Sequence, residues 1–349
     1  MNSLRKTLHI FNFEEKFSKP FFEFLQEHEF DLSRHQLFHY GKHNSSYKTF
    51  GMTFNFAKYY SIFKHIGLLR DMFKAKKIIV HSLASPWLLL FLFCFPFLTK
   101  KVYWVIWGKD LYFYQLLKKK RFYHLIYEFF RKKVFKGIKH VVTGVPGDAL
   151  LAQQWYDVSA TCHVCMMYPN NLYKHTAIPE TNHSGINILL GNSADPSNNH
   201  FQLLQKLKPF IKENIKIYAP LSYGDMNNKT AVIKEGKRIF GDKFIPLTKL
   251  REIKQYHSLL SKIDFAVFGH KRQQAMGNTI TLLGLGKKVF MDRETTSWLL
   301  FKEANIQVFN NDQIDLNKLS SQISDKNIKQ VKNYFSEKKY LSQLKLLFG

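Results

Sequence analysis

Twice along this chain, short β-branched or aromatic runs alternate with longer amphipathic stretches, and a segment with neither period separates the two series. In the first series residues 7–13, 77–81, 102–107 and 140–143 read as strands, with helical stretches at 19–29, 59–73, 87–93 and 122–135. Residues 168–185 hold Pro169, Pro179 and several asparagines without apolar periodicity, and read as a linker. The second series has strands at 186–190, 215–219, 265–268 and 288–291, with helices at about 198–211, 227–240, 249–262 and 279–285. Strands spaced by helices of this length fold as parallel sheets covered by helices. The expectation is an α/β protein with an N-terminal domain over 1–167, a linker over 168–185, a C-terminal domain over 186–326, and a basic helix over 327–349 packing back on the N-terminal domain. Two such domains place the carboxyl ends of their strands around a shared cleft, so function is sought at strand ends.

Charge narrows the partners. Lys and Arg number 52 against 26 Asp and Glu, a formal charge of +26, and the chain carries 33 Phe, 17 Tyr and 5 Trp. A basic surface with an aromatic load excludes an acidic, disordered solvating chain and points to nucleic acid or an anionic membrane surface. The three cysteines are too few for a disulfide framework. Cys162 and Cys165 form a C-x-x-C with no second pair, in a stretch, 161–167, that reads as a buried strand, so they are expected as ordinary packing rather than a redox or zinc site. The first residues lack the apolar core of a secretory signal, and export is not expected. The longest apolar run, 87–98, holds twelve residues interrupted by Pro96. As a helix it reaches only about 18 Å, too short to span a bilayer. It reads as a buried helix, or as a surface that dips into lipid.

Four segments carry candidate chemistry. The strand at 186–190 ends at Gly191, followed by Asn192-Ser193-Ala194-Asp195-Pro196-Ser197-Asn198; glycine admits a ligand to the backbone, and Ser197 or Asn198 caps a helix whose N-terminus suits an anion. The strand at 265–268 leads to Arg272-Gln273-Gln274 and then to Gly277-Asn278-Thr279 opening a helix. There a guanidinium and helix amides read as a diphosphate clamp. In the first half, Trp107-Gly108-Lys109-Asp110 follows one strand and His81 ends another. A histidine or aspartate facing a cleft can act as general base toward a sugar hydroxyl, and His81 and Asp110 are both candidates. Finally, nine basic residues between Lys118 and Lys139 face the single acid Glu128. Phe122, Leu125, Ile126 and Phe129 share one face of that stretch, which reads as a core-facing helix with a solvated basic side, or as a membrane-surface helix.

In the strand-end motif Ile106-Trp107-Gly108-Lys109-Asp110-Leu111-Tyr112, the loop from Gly191 to Asn198 and the clamp Arg272-Gln273-Gln274 with Gly277, the chain resembles the TDP-N-acetylfucosamine:lipid II N-acetylfucosaminyltransferases. These are the 4-acetamido-4,6-dideoxygalactose transferases of enterobacterial common antigen synthesis. The likeness runs from about His81 to Trp298, and Ala275 stands where the pattern leads us to expect glycine. It implies a GT-B type fold of two Rossmann-like domains facing a cleft and a hexosyltransferase moving an acetamido-deoxyhexose from a dTDP-sugar to a polyprenyl-diphosphate-linked saccharide. No metal or other cofactor is then expected.

The resemblance puts Gly191, Asn192, Ser193 and Asn198 on the donor loop and Arg272, Gln273, Gln274, Gly277, Asn278 and Thr279 on the diphosphate loop. Tyr218, Pro220 and Tyr223 are left to hold the base or ribose, and His81, Trp107, Gly108 and Asp110 fall on the acceptor side. The implied place is peripheral, on the cytoplasmic side of a bacterial inner membrane, against an anionic lipid surface and without nucleic acid. Two alternatives are kept: a GT-B enzyme using another nucleotide-sugar for O-antigen or capsule, and a non-catalytic nucleic-acid binder. No recognisable nucleic-acid motif supports the latter.

Overall fold

The computed structural model describes residues 6–12, 15–41, 45–58, 61–117, 119–174 and 183–349. Phe13, the first residues of the helix expected over 59–73, Lys118 and part of the expected linker lie outside them. The chain divides into two compact units, Met1–Asn170 with Tyr340–Gly349, and Asn171–Lys339.

The first unit is built on seven parallel strands: β1 Thr7–Asn12, β2 His35–Tyr40, β3 Thr53–Ala57, β4 Lys77–His81, β5 Val102–Val105, β6 His140–Thr143 and β7 Thr161–Val164. Their order is β3-β2-β1-β4-β5-β6-β7. The second unit holds six: β8 Ile186–Leu190, β9 Ile215–Pro220, β10 Phe244–Leu247, β11 Phe265–Val267, β12 Lys288–Met291 and β13 Phe309–Asn310. Their order is β10-β9-β8-β11-β12-β13, again parallel throughout. Both sheets therefore run outward in opposite directions from a central pair, β1 beside β4 and β8 beside β11. That reversal is the topological switch point at which Rossmann-like sheets bind ligands, outside the carboxyl ends of the strands.

Strand sequence decides what each face of the first sheet meets. Leu8, Ile10, Ile78, Val80, Val102 and Trp104 point to one side, where the helices Ile62–Lys74, Pro86–Cys94, Phe122–Gly137 and Pro146–Tyr156 close an aliphatic core. Alternation sends His9, Phe11, His35, His39 and His81 to the other side. There Phe21 and Phe22 of helix Glu15–Glu27 and Phe348 of helix Glu337–Phe348 pack against them in an aromatic layer. In the second unit Ile188, Leu190, Ile217, Val267 and Phe290 form a single apolar cluster with Leu203, Leu204 and Val232.

Four expectations are corrected. The stretch 327–347 is two helices, Ser321–Tyr334 and Glu337–Phe348. Phe335 closes the first, and the Ser336 hydroxyl accepts from the Lys339 amide at 3.3 Å to start the second. Only Tyr340–Gly349 joins the first unit, where the Tyr340 hydroxyl donates to the Met167 carbonyl at 2.8 Å. The expected linker is divided between the units: residues 168–170 belong to the first, where the Tyr168 hydroxyl meets His81 Nδ1 at 2.6 Å, and the chain from Asn171 belongs to the second, where the Tyr173 amide donates to the Phe335 carbonyl and its hydroxyl to the Gly284 carbonyl. Strand β7 lies at the sheet edge and Cys162 is exposed, whereas Cys165, beyond the strand, is buried and its thiol is pushed up to about 12 by burial. Such a thiol is inert.

The fourth concerns helix Phe122–Gly137, which packs with the opposite face to the one its apolar stripe predicts. His124, Glu128, Arg131, Val134 and Phe135 are buried, and Phe122, Leu125, Ile126 and Phe129 face solvent. The Arg131 guanidinium explains the inversion. It pairs with Glu128 at 2.7 Å, donates to the Asp110 carbonyl and lies over the rings of Phe113, Phe135 and Tyr156.

Candidate active site

Seen one unit at a time, the sequence motifs fall at the two switch points. In the second unit the chain leaves β8 at Gly191, whose φ of +67° belongs to the left-handed region. A Cβ there would lie 2.7 Å from His200 Nε2 and 2.9 Å from Asn198 Oδ1, so glycine is required by space as well as by backbone angle. The turn that follows is held from inside. Asn198 accepts from the Asn192 amide at 2.9 Å and donates to Ser193 Oγ at 3.1 Å, and Asn192 donates to the Tyr223 hydroxyl at 3.1 Å. The expectation that Ser197 or Asn198 caps the next helix is corrected. Asp195 caps a short 3-10 turn, Pro196–Asn198, and the helix proper starts at His200 after Asn199, which is itself left-handed at φ +52°.

The neighbouring switch-point strand supplies the other half. After β11 the chain passes through Phe268 and Gly269 to His270, whose Nε2 lies 3.0 Å from both Asn192 Oδ1 and Asn198 Oδ1. Both partners are acceptors, so Nε2 carries the proton. Burial first, and then the Arg272 guanidinium, hold His270 down at about 3, and burial holds His200 at about 4. Both rings are neutral near pH 7. Both His200 nitrogens are buried without a hydrogen-bond partner. Gln274 donates to Asn192 Oδ1 at 3.1 Å and accepts from Ser197 Oγ at 2.8 Å, so the two loops are stitched together by neutral hydrogen bonds.

Arg272 is half-buried and donates to the Gln273 carbonyl at 3.1 Å, while the Gln273 side-chain oxygen is buried without a partner. Arg272 and Gln274 line a recess with His270, Met276 and Thr295.

The helix after the clamp spans Met276–Gly284, one residue earlier than its expected opening at Gly277. Its unpaired amides are therefore those of Met276, Gly277 and Asn278. The Thr279 amide and hydroxyl are both spent on the Ala275 carbonyl, which removes Thr279 from the anion-binding set. The Asn278 side chain donates to the Tyr256 hydroxyl at 2.9 Å. Ala275 precedes the helix at φ +57°, a conformation that costs an L-residue about 1–2 kcal/mol and that glycine adopts freely. Of the three residues assigned to the base or ribose, Tyr223 reaches the turn, and Tyr218 and Pro220 belong to β9 itself.

In the first unit His81 and Asp110 sit at the switch-point end of the sheet, and neither is a free base. Asp110 is buried, and its two oxygens accept from the amides of Leu83, Trp107 and Leu111 and from the Trp104 indole, at 2.7–3.0 Å. Four donors saturate the carboxylate, which ties the Gly108 turn, at φ +78°, to the chain leaving β4. That turn leaves Trp107 half-buried.

His81 is fully buried, stacked on Phe11 with ring centroids 3.5 Å apart, and both its nitrogens are engaged. They belong to a chain of hydrogen bonds in which Trp107 Nε1 meets the Tyr168 hydroxyl (2.8 Å), Tyr168 meets His81 Nδ1 (2.6 Å), His81 Nε2 meets His9 Nδ1 (3.1 Å) and His9 Nε2 meets His35 Nδ1 (2.8 Å). Indole nitrogen only donates, so Tyr168 passes its own proton toward His81 and each imidazole in turn donates from Nε2. Burial holds His9 and His81 well below the usual histidine range and His35 at about 4. The base roles expected of His81 and Asp110 are thus replaced by positioning roles: both hold the Trp107 turn in place.

With this geometry, likeness to known proteins becomes informative. The family described as 4-alpha-L-fucosyltransferase, glycosyl transferase group 56, matches residues 34–345. The chain belongs to that family. As a group 56 member it is a glycosyltransferase, an enzyme class that transfers the sugar of a nucleotide-sugar donor to an acceptor and releases the nucleotide. Its fold is shared more widely. HepE from Anabaena, in complex with UDP and glucose, superposes with a TM-score of 0.67 at 8% identity, covering 98% of this chain and 99% of that one. Sucrose-phosphate synthase from Thermosynechococcus elongatus gives 0.67 at 10% identity, covering 99% and 98%. A glycosyltransferase from Rickettsia africae gives 0.62 at 12% identity, again covering 99% and 98%. The group 56 chain is thereby of GT-B type with two Rossmann-like domains, as the resemblance carried by its strand-end motifs implies.

Motif reading misses His270, His200, Tyr168, His9 and Tyr256. His270 is within reach of it, standing two residues before Arg272 at the end of a strand. The other four owe their places to strand pairing or helix packing, which no local spacing marks.

Proposed function

We propose that this group 56 transferase moves an acetamido-deoxyhexose, 4-acetamido-4,6-dideoxygalactose, from a dTDP-sugar to a polyprenyl-diphosphate-linked saccharide in bacterial surface polysaccharide synthesis. Its place of action is the cytoplasmic side of the inner membrane. The observation that carries the reading is the pair of switch-point loops in the second unit. A neutral hydrogen-bonded frame, Asn192, Asn198, His270 and Gln274, holds Arg272 and the amides of Met276, Gly277 and Asn278 in place. The family's fucosyl description supports the sugar, because fucose and 4-acetamido-4,6-dideoxygalactose are both 6-deoxygalactose sugars.

In this reading the C1–O bond to the diphosphate breaks as the acceptor oxygen bonds to C1, and the acceptor hydroxyl proton passes to solvent water. Charge grows on the departing dTDP, and Arg272 with the helix amides stabilises it without a metal. Trp107 and Gly108 form the acceptor-side turn.

The test is release of dTDP by purified protein supplied with dTDP-4-acetamido-4,6-dideoxygalactose and a lipid-linked saccharide, beside UDP- and GDP-sugars. Release from the dTDP-sugar alone is the expected outcome, and no release from any dTDP-sugar defeats the proposal. Arg272→Ala is expected to lower kcat about 10²–10³-fold, the scale of losing one charge-stabilising donor. Turnover near the wild-type rate would remove Arg272 from the diphosphate site.

A further inference from the structure

We infer that the outward face of the helices Ile62–Lys74, Pro86–Cys94 and Phe122–Gly137 is a docking surface for an anionic lipid bilayer. The inference rests on the lipid-linked acceptor proposed above for its purpose, and on the structure of the first unit alone for its evidence.

Phe122, Leu125, Ile126 and Phe129 occupy i, i+3, i+4 and i+7 of one helix, and every one of them is exposed, Phe122 to 77%. Such a stripe ordinarily turns to the core. Here the core-facing side is taken by Arg131, Glu128 and His124, so the apolar side is left outward. The exposure continues across the neighbouring helices. Phe130 packs edge-on against exposed Phe93 at 4.6 Å, and Leu90 is exposed one turn earlier on that helix. Trp87 stacks on His65 at 4.6 Å, which joins the helix bearing exposed Phe63, at 88%, and Ile66. Contiguous apolar surface of this kind marks an interaction site rather than scattered exposure.

Charge selects the occupant. Among the described residues of these helices the only acids are Asp71 and Glu128, and both are withdrawn. Asp71 accepts from Gln36 at 2.6 Å, and Glu128 is buried against Arg131. The exposed charges on these helices are Lys64, Arg70, Lys74, Lys132, Lys133 and Lys136, of which Lys136 is paired with the exposed Asp157 at 2.5 Å, and Lys119, Lys120 and Arg121 lead into the last helix. The Lys133 ammonium lies 5.8 Å from the Phe129 ring, its stem along the apolar surface and its head free to reach a headgroup. No helix among the described residues is long and apolar enough to cross a membrane. An apolar stripe whose bordering charges are mostly cationic suits a helix lying in the interface plane.

Flotation of the full chain with phosphatidylcholine vesicles, with and without phosphatidylglycerol, tests the surface. Binding is expected on the anionic vesicles and is to weaken with salt. Joint Phe122→Ser and Phe129→Ser, and separately joint Lys132→Glu and Lys133→Glu, are each expected to lower partitioning about tenfold or more. Leu250→Ser, in the second unit and 82% exposed, is expected to leave it unchanged. All variants should keep the wild-type melting temperature, since the side chains are exposed. Failure of the wild type to float, equal flotation of the variants, a dimer in sedimentation that Phe122→Ser with Phe129→Ser dissolves, or an RNA shift at matched salt abolished by the same pair would each overturn the inference. Flotation without dTDP release from any dTDP-sugar would leave the surface standing and defeat only the proposed reaction.

Discussion

Asp110 shows how far a single side chain's meaning depends on its neighbours. In sequence it is an acid just past a strand; in the fold it accepts four N–H groups and ties the turn from Trp107 to Leu111 to Leu83, on the chain leaving β4. Asp110→Asn replaces one acceptor oxygen with a donor facing other donors, and is expected to destabilise the protein by about 2–3 kcal/mol in urea unfolding. Were Asp110 a base, the same change would abolish turnover at unchanged stability, so measuring both separates the roles. Gly191 is legible in the sequence because a glycine directly after a buried strand marks a tight turn or a close backbone approach, and its φ and its crowding by His200 show both. The role of His81 is not legible, because its partners His9 and Tyr168 lie 72 and 87 residues away and meet it only through strand pairing and the turn after β7.

Element by element, the helices Glu15–Glu27, Ile62–Lys74, Phe122–Gly137 and Met226–Phe240 are legible, and the helix Pro146–Tyr156 and several strands are not. Strands β2, β3, β10 and β13 escape the pattern reading. His35 and His39 interrupt the alternation of β2 with groups that look polar yet are buried, Pro246 lies within the edge strand β10, and β13 is two residues long. Helix Phe122–Gly137 is read correctly as a helix and with its orientation inverted, because hydrophobic periodicity gives a face without saying which face is inward. Its buried pair sets the orientation. Arg131→Met strands Glu128 and is expected to cost about 3–5 kcal/mol. Glu128→Gln added to it should recover much of that loss. Urea unfolding of the single and double variants checks this, and a single variant as stable as wild type would deny the pair its role.

At the scale of the whole molecule, five buried histidines share one property. His9, His35 and His81 in the first unit and His200 and His270 in the second all have pKa values lowered by burial, to about 4 for His35 and His200 and about 3 for His270. Below the ordinary histidine value of about 6.5 the unfolded chain takes up protons that the folded chain refuses. Stability is therefore full above that value and falls as pH drops toward 4, by about 1.4 kcal/mol per pH unit for each such histidine. Unfolding free energies from urea melts at pH 7 and pH 5 should differ by several times that figure, and a flat profile would show that the rings are hydrated. The sequence alone determined the α/β class, the two series of strands and the two glycine-led loops of the second half, because period, strand-end glycine and helix opening are local properties of consecutive residues. Tertiary structure alone decided which histidines meet, which carboxylate is saturated and which side of an amphipathic helix faces water, because each depends on partners distant in the chain and on the cost of burying charge unpaired.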